Sequence, residues 1–312
     1  MLSVKRYVGR LPFDPLHDEA LLAPYIKACL NDWADADCEA AATLTWAVDH
    51  SPTDITHLMR RSIADCLHEH FAGDEDLKHK SVQLSAEQAT HAQLQTQLTT
   101  TKPALIVTTS HGMTGPLNDA AAMQAQLGLP VDQLYQALPV RDLFDQWQPS
   151  GAIWYAHACC AAGSDDGSKF AGLFTQGTPA EQTLSAVGNL GAQAAPLPLA
   201  LLTASRPVRA FLGHVEPTFD WTLKQPATGQ LLTSALSTAL YDELYLSSPI
   251  GHAFRHWYAN AASHFAAWDA ARLSYDGKEA ANATILYHVL AARDIQTLVL
   301  LGDPAVSLQA AG

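Results

Sequence analysis

The chain has no long hydrophobic run. Its apolar stretches, Pro103–Val107, Ala152–Ala156 and Leu298–Leu301 among them, fall far short of the roughly 18 residues that a membrane-spanning helix needs. Basic residues are scarce too: 18 Lys and Arg stand against 31 Asp and Glu, for a formal net charge of −13, and no Lys/Arg cluster interrupts the acidity. A surface of that sign repels phosphate backbones, which argues against nucleic acid as a partner, and most of the charge serves solubility. Absent as well are G-x-S-x-G, Walker A and G-x-G-x-x-G, so serine hydrolase, nucleotide hydrolase and dinucleotide chemistry have no motif support. Neither C-x-x-C nor H-E-x-x-H is present, and no metal or cofactor is expected. His157, Cys159 and Cys160 are zinc-ligand types, but neighbours on a strand point to opposite faces; Cys66, His68 and His70 fail because residues two apart on a helix diverge.

What is present is ample material for a core. The 312 residues are 48% hydrophobic and 16% charged, without a repeat, a low-complexity linker or a break in composition, so residues 1–312 read as one domain. Five cysteines is an odd number, and Cys29, Cys38 and Cys66 follow no spacing, which favours free thiols in a reducing compartment. Residues Met1 to Tyr7 hold no continuous apolar segment, so no signal peptide is expected and the cytoplasm is the expected location.

Strand and helix patterns alternate. Val4–Val8 reads as a short strand and Asp18–Trp33 as a helix; Ala41–Val48 is a second strand. Ser51-Pro52-Thr53-Asp54 then looks like a helix start, with Ser51 as cap and Asp54 as the capping-box acid of a helix to about Phe71. Gly73–Lys80 is a charged loop and Glu87–Leu98 a polar helix. Ala104–Thr109 and Ala152–Ala158 have the continuous apolar character of parallel strands buried on both faces. A Gly- and Pro-punctuated loop, 112–130, and a helix near Val140–Trp147 lie between them. Gly163–Ser168 is turn-rich and reads as mobile. A small-residue helix, Ala194–Ala204, leads to a strand, Val208–His214; three helices (231–246, 251–273, 279–293) and a strand, Ile295–Leu301, close the chain. This is an α/β pattern: a mainly parallel sheet covered by helices on both faces.

In such sheets, function gathers just past the carboxyl ends of the strands. His111 stands there in Thr109-Ser110-His111-Gly112, and Cys159 in His157-Ala158-Cys159-Cys160. One strand–helix–strand crossover spans the interval, so both can reach one edge as a nucleophile–base pair. Gly112 lets a carbonyl approach the backbone, and its N–H with that of Cys159 can form an oxyanion hole. His157 and His214 are satisfied wall residues on this reading. Asp49, Glu216 and Asp220 follow strand ends, with Asp165 and Asp166 in the turn-rich loop. A carboxylate at the base of a pocket would select Arg or Lys, and Trp221 could form a wall.

A buried strand ending in His-Gly, followed by a second ending in Ala-Cys, resembles the caspase-like cysteine peptidases: caspases, legumain, clostripain, gingipains and the bacterial CHAT-domain proteases. Tyr7-Val8-Gly9-Arg10-Leu11-Pro12, Phe211-Leu212-Gly213-His214-Val215 and Leu301-Gly302-Asp303-Pro304 are similar to strand and terminal motifs on the gingipain and CHAT side. The resemblance implies a caspase-like three-layer fold, a Cys-His dyad of Cys159 and His111, Gly112 as oxyanion donor, a protein substrate and no cofactor. It also implies an earlier strand and an upstream sensor or activator domain or chain, in a bacterial defence or signalling system. The chain departs from caspases at Cys160-Ala161-Ala162, where they carry Arg, so specificity for Asp is not expected; a basic P1 residue is. Cys160, three residues before Gly163, stays open as an alternative nucleophile. A catalytically silent interaction module, and an effector latent until Gly163–Lys169 is ordered, are the rival readings.

Overall fold

In the computed structural model, which describes residues 6–12 and 19–308, the apolar runs assemble into a six-stranded sheet. Its strands are β1 (Glu39–Ala47), β2 (Ser81–Ser85), β3 (Pro103–Thr109), β4 (Ile153–His157), β5 (Ala210–His214) and β6 (Leu298–Gly302). The order is β6-β5-β4-β3-β1-β2, parallel from β5 to β2, with β6 antiparallel beside β5. Every residue of β3 to β6 is buried. Strands covered on both faces need no polar alternation, which is why these runs are continuously apolar.

The cover follows from the order of the strands. The principal helices are α1 (Glu19–Leu30), α2 (55–73), α3 (His91–Thr101), α4 (Pro179–Gly188), α5 (Pro196–Thr203), α6 (Arg255–Leu273) and α7 (Glu279–Thr297). From β1 the chain steps outward to β2, then returns and advances through β3, β4 and β5. Right-handed crossovers therefore set α2 on one face and α3 and α5 on the other. On its face α2 is met by residues 233–243: Thr233 Oγ1 donates to the Ser62 carbonyl, and Tyr241 meets Phe71 edge-on. On the other face α5 packs against α1. Trp46, Leu105, Trp154 and Phe211 are fully buried in the core, and the Trp154 indole N–H is satisfied by Thr108 Oγ1 at 3.0 Å. Among the described residues no helix is long and apolar enough to cross a membrane.

Several elements differ from the pattern read in the sequence. Residues 4 and 5 of the expected first strand, and Asp18, lie outside the described residues. Arg10 instead forms a single parallel bridge to Leu301. β2 and α4 were not expected from the sequence; β2 is an edge strand in which only Leu84 is buried, and α4 buries Leu184 and Val187. Helix α2 begins at Ile55, with Asp54 itself as N-cap rather than Ser51, because its carboxylate accepts from the amide and hydroxyl of Thr56. The apolar run 295–301 divides, since α7 continues to Thr297 before β6 starts. The 163–168 segment is anchored: Gly163–Ser164 pair with Gln193–Ala194, and the Glu216 carboxylate holds Ser168 and Lys169.

Tyr25 joins α1 to the sheet. Its buried hydroxyl donates to the Arg209 carbonyl at 2.7 Å and accepts from the Asp303 amide at 2.6 Å. Tyr25→Phe leaves both groups without that partner and is expected to cost about 1–3 kcal/mol, read as a lower urea midpoint at unchanged slope. A midpoint equal to wild type would contradict the tether.

Candidate active site

β3 and β4 end in register, Thr109 opposite His157, and the Ser110 amide reaches the His157 carbonyl at 3.3 Å. Beyond them the chain passes His111–Gly112, which pair with Pro130–Val131 in a short ribbon. Gly112 lies so close to the opposite chain that a Cβ there would stand 2.0 Å from the Cys159 carbonyl oxygen. Only glycine permits this approach. The crossover thus brings the strand-end histidine and cysteine segments together. Cys159 itself is not in the strand, contrary to the expectation that Ala158–Cys159 continues it. β4 stops at His157, and a turn follows in which Ala161 N bonds Ala158 O and Gly163 N bonds Cys160 O.

That turn separates the two thiols. Cys160 is fully buried in an apolar cluster with Met123, Leu127 and Val187, and burial pushes its thiol well above the usual range. An enclosed sulfur cannot meet a substrate, which removes Cys160 as the alternative nucleophile on physical grounds. Cys159 is partly exposed, and its Sγ donates to the Thr218 carbonyl at 3.6 Å. Burial of the sulfur raises this thiol to about 11. The Asp294 charge adds to the rise, while backbone contacts from Thr218, Cys159 and Gly112 oppose it. At neutral pH the group is a protonated thiol.

His111 is held from its other side. Its Nε2 lies 3.0 Å from the Asp54 carboxylate, which only accepts, so Nε2 carries the proton and Nδ1 the lone pair. Burial works to raise the Asp54 carboxyl, but hydrogen bonds from Thr56 and His111 outweigh it and hold the group below its usual value. The ring of His50 stacks on His111 (centroids 5.6 Å apart, planes at 14°) and on Tyr135 (4.0 Å, 8°). Donor atoms of His50, Asp54 and His111 lie within 4.8 Å of one another, a grouping able to hold a metal ion that no spacing motif announced. Among the described residues no hydrogen bond joins His111 to Cys159.

His157 and His214 are packing groups, and contrary to the expectation of satisfied wall residues each has a buried Nε2 with no hydrogen-bond partner among the described residues. His157 Nδ1 bonds the Tyr155 hydroxyl at 2.9 Å, His214 Nδ1 bonds Thr297 Oγ1 at 2.8 Å, and the two rings meet edge-on at 5.0 Å. Burial lowers His157 to about 4 and holds His214 well below the usual imidazole range, so both are neutral.

The acids divide. Asp49 is engaged by Arg60 Nε at 3.0 Å and His57 Nδ1 at 3.1 Å. Glu216, expected to read substrate, is instead 2% exposed and spends its carboxylate on Ser168 Oγ and the Lys169 amide. Asp165 pairs with Lys169, and Asp166 is exposed. Asp220 is exposed at a cavity of about 500 Å³ whose walls include Asp54, His57, Arg61, Lys224 and Leu231. Trp221 joins an aromatic cluster with Phe219 (4.4 Å), Phe170 and Phe174. Sequence reasoning missed Asp294, fully buried on α7, which accepts from Thr218 Oγ1 at 2.9 Å and Thr222 Oγ1 at 2.6 Å. It thereby fixes the loop whose carbonyl receives the Cys159 thiol. Compared with protein-family models and with curated proteins, the chain matches none.

Two expectations follow from this geometry. Gly112→Ala drives a methyl into the Cys159 carbonyl and is expected to destabilise the fold by about 1–3 kcal/mol while slowing alkylation of Cys159; thermal unfolding and intact-mass kinetics measure both, and wild-type values in each would refute the close packing. Asp294 is raised by burial from 3.8 to about 7. Its contribution to stability is therefore complete below about pH 4 and lost as pH rises through 7. Relative to Asp294→Asn, the wild type should lose on the order of 4 kcal/mol between pH 4 and pH 8 in urea titrations. A pH-independent difference would show that the carboxyl is not buried as described.

Proposed function

We propose that this chain is a caspase-like cysteine endopeptidase in which Cys159 is the nucleophile and His111 its base. The observation that carries the reading is the contact of Gly112 with Cys159 at the carboxyl edge of a parallel sheet, beside an imidazole already oriented by Asp54. A mainly parallel sheet covered on both faces is also what the resemblance implies.

The chemistry runs from the same atoms. With Nε2–H given to Asp54, Nδ1 of His111 is the nitrogen that accepts the thiol proton. Sγ then attacks the scissile carbonyl carbon, and the amides of Gly112 and Cys159 hold the developing oxyanion. The amine departs with the proton from His111, and water, deprotonated by the same ring, hydrolyses the thioester. Because the thiol is raised to about 11, proton removal belongs to the attack and not to a pre-formed ion pair. Among the described residues Asp220 is the one strand-end acid of the three whose carboxylate has no hydrogen-bonded or ion-paired partner, and it is the group left to read a basic P1 side chain. A role as an effector in bacterial defence, switched by an upstream sensor or activator, rests on the resemblance alone.

The second reading is a catalytically silent module of the same fold. It is favoured by one observation: the Cys159 thiol and the His111 imidazole each face another partner. Peptidyl electrophiles bearing different P1 residues separate the two, with the modified cysteine located by mass. Labelling of Cys159 is expected, strongest with Arg or Lys at P1, abolished in Cys159→Ala, retained in Cys160→Ala, and slowed about 10²–10⁴-fold in His111→Ala. Labelling indifferent to His111 would support the silent module; preference for Asp or small apolar P1 residues would remove the basic specificity.

A further inference from the structure

We infer that His50, Asp54 and His111 form a binding site for one zinc ion, and that zinc there withdraws His111 from the dyad. The second half rests on the peptidase reading above; the site itself does not.

The ligand set argues the class of metal. Two imidazoles and a carboxylate suit zinc and its first-row neighbours, whereas magnesium and calcium take oxygen. Three protein ligands leave a fourth position for water. The three donors already lie within 4.8 Å of one another, and small side-chain rotations bring them to the separations that bonds of about 2.0–2.2 Å require.

The surroundings of His50 point the same way independently. Its Nε2 lies 2.9 Å from the Asp132 carbonyl, which only accepts, so the ring proton is on Nε2 and the lone pair on Nδ1. That Nδ1 is buried and has no hydrogen-bond partner among the described residues. An unsatisfied buried acceptor is costly, and a metal ion would satisfy it. A ligating histidine with its second nitrogen on a backbone carbonyl is the usual outer-shell arrangement of zinc sites. Asp132 is itself pinned, its Oδ1 accepting from the amides of Leu134 and Gln136. Tyr135 stacks on His50 from one side, and Thr56 fixes Asp54.

The consequence at His111 is a change of tautomer. Zinc takes Nε2, the nitrogen now 3.0 Å from Asp54, and the Nε2 proton leaves to solvent. The neutral ring then takes a proton at Nδ1, so no net proton is gained or lost by the imidazole. Nδ1 is the atom that must accept the Cys159 proton, and it is now occupied.

The full chain, titrated with zinc against a chromophoric chelator and with cobalt(II) as spectroscopic probe, is expected to bind one equivalent with the visible absorption of a four-coordinate centre. His50→Phe, which keeps an aromatic ring against Tyr135, His50→Gln and His111→Phe should each weaken binding by about tenfold or more, with Cys159→Ala unchanged. One equivalent of zinc should also slow iodoacetamide modification of Cys159 in the wild type, and leave it unaltered in His50→Phe relative to the same variant without zinc. Affinity retained in both His50 variants, or lost in Cys159→Ala, overturns the site. Stoichiometric zinc held through His50 by a chain without peptidase activity upholds the site and removes the peptidase reading. Activity with no such binding does the reverse.

Discussion

The close approach of two backbones, Gly112 and Cys159, is the constraint on which the rest of the site depends. It is set by register. Thr109 stands opposite His157 in the β3–β4 ladder, so two residues further along each chain, His111 and Cys159 arrive together. The register is held in turn by strands buried at every position, where a slip of one residue would exchange the faces of all their side chains. A stable core and a defined site are therefore one requirement in this molecule. The missing side chain at Gly112 is what lets the ends of the strands close.

Asp54 couples the site to the helical layer in a similar way. As the N-cap of α2 it satisfies the Thr56 amide at a helix end, a task worth about 1 kcal/mol in stability. The same carboxylate accepts from His111 and so decides which imidazole nitrogen bears the proton. Stability and proton placement use one side chain, and the orientation of His111 is inherited from the position of α2 under the sheet.

The sequence disclosed those parts of the site that are local. Apolar runs before His111 and Cys159 announced buried parallel strands, and strand-end position singled out the pair. Edge strand β2 escaped because four of its five residues are only partly buried and a polar pattern suffices there. β6 was legible as an apolar strand, but its start was set too early, because an apolar run does not say where a helix stops and a strand begins, and its antiparallel direction was not legible. His50, Asp54 and Asp294 escaped for a different reason. Their partners are remote in sequence, and nothing at the positions themselves, beyond a capping residue ahead of a helix, distinguishes them from ordinary loop and helix side chains. Glu216 was visible as a strand-end acid, yet its burial, which decides its role, was not.

The two buried acids position the loops around Cys159, and neither is placed to meet a substrate from solvent. Glu216 fixes residues 168 and 169 on one side of the nucleophile turn, and Asp294 fixes Thr218 and Thr222 on the other. Burial raises both carboxyls, so each is expensive to charge and already committed to protein donors. A substrate cation would have to displace those donors and enter a closed space to meet either one. Their shared effect is instead on the sulfur: a rigid frame around Cys159, whose burial keeps the thiol protonated; under the proposed reading it stays so until a carbonyl is seated and His111 takes the proton. Under the proposed peptidase reading, recognition of a basic side chain would have to come from an exposed acid, where solvent can leave as the substrate enters. Asp220, exposed at the cavity that Asp54 also lines, is the acid to which that reading gives the task, whereas Glu216 is buried.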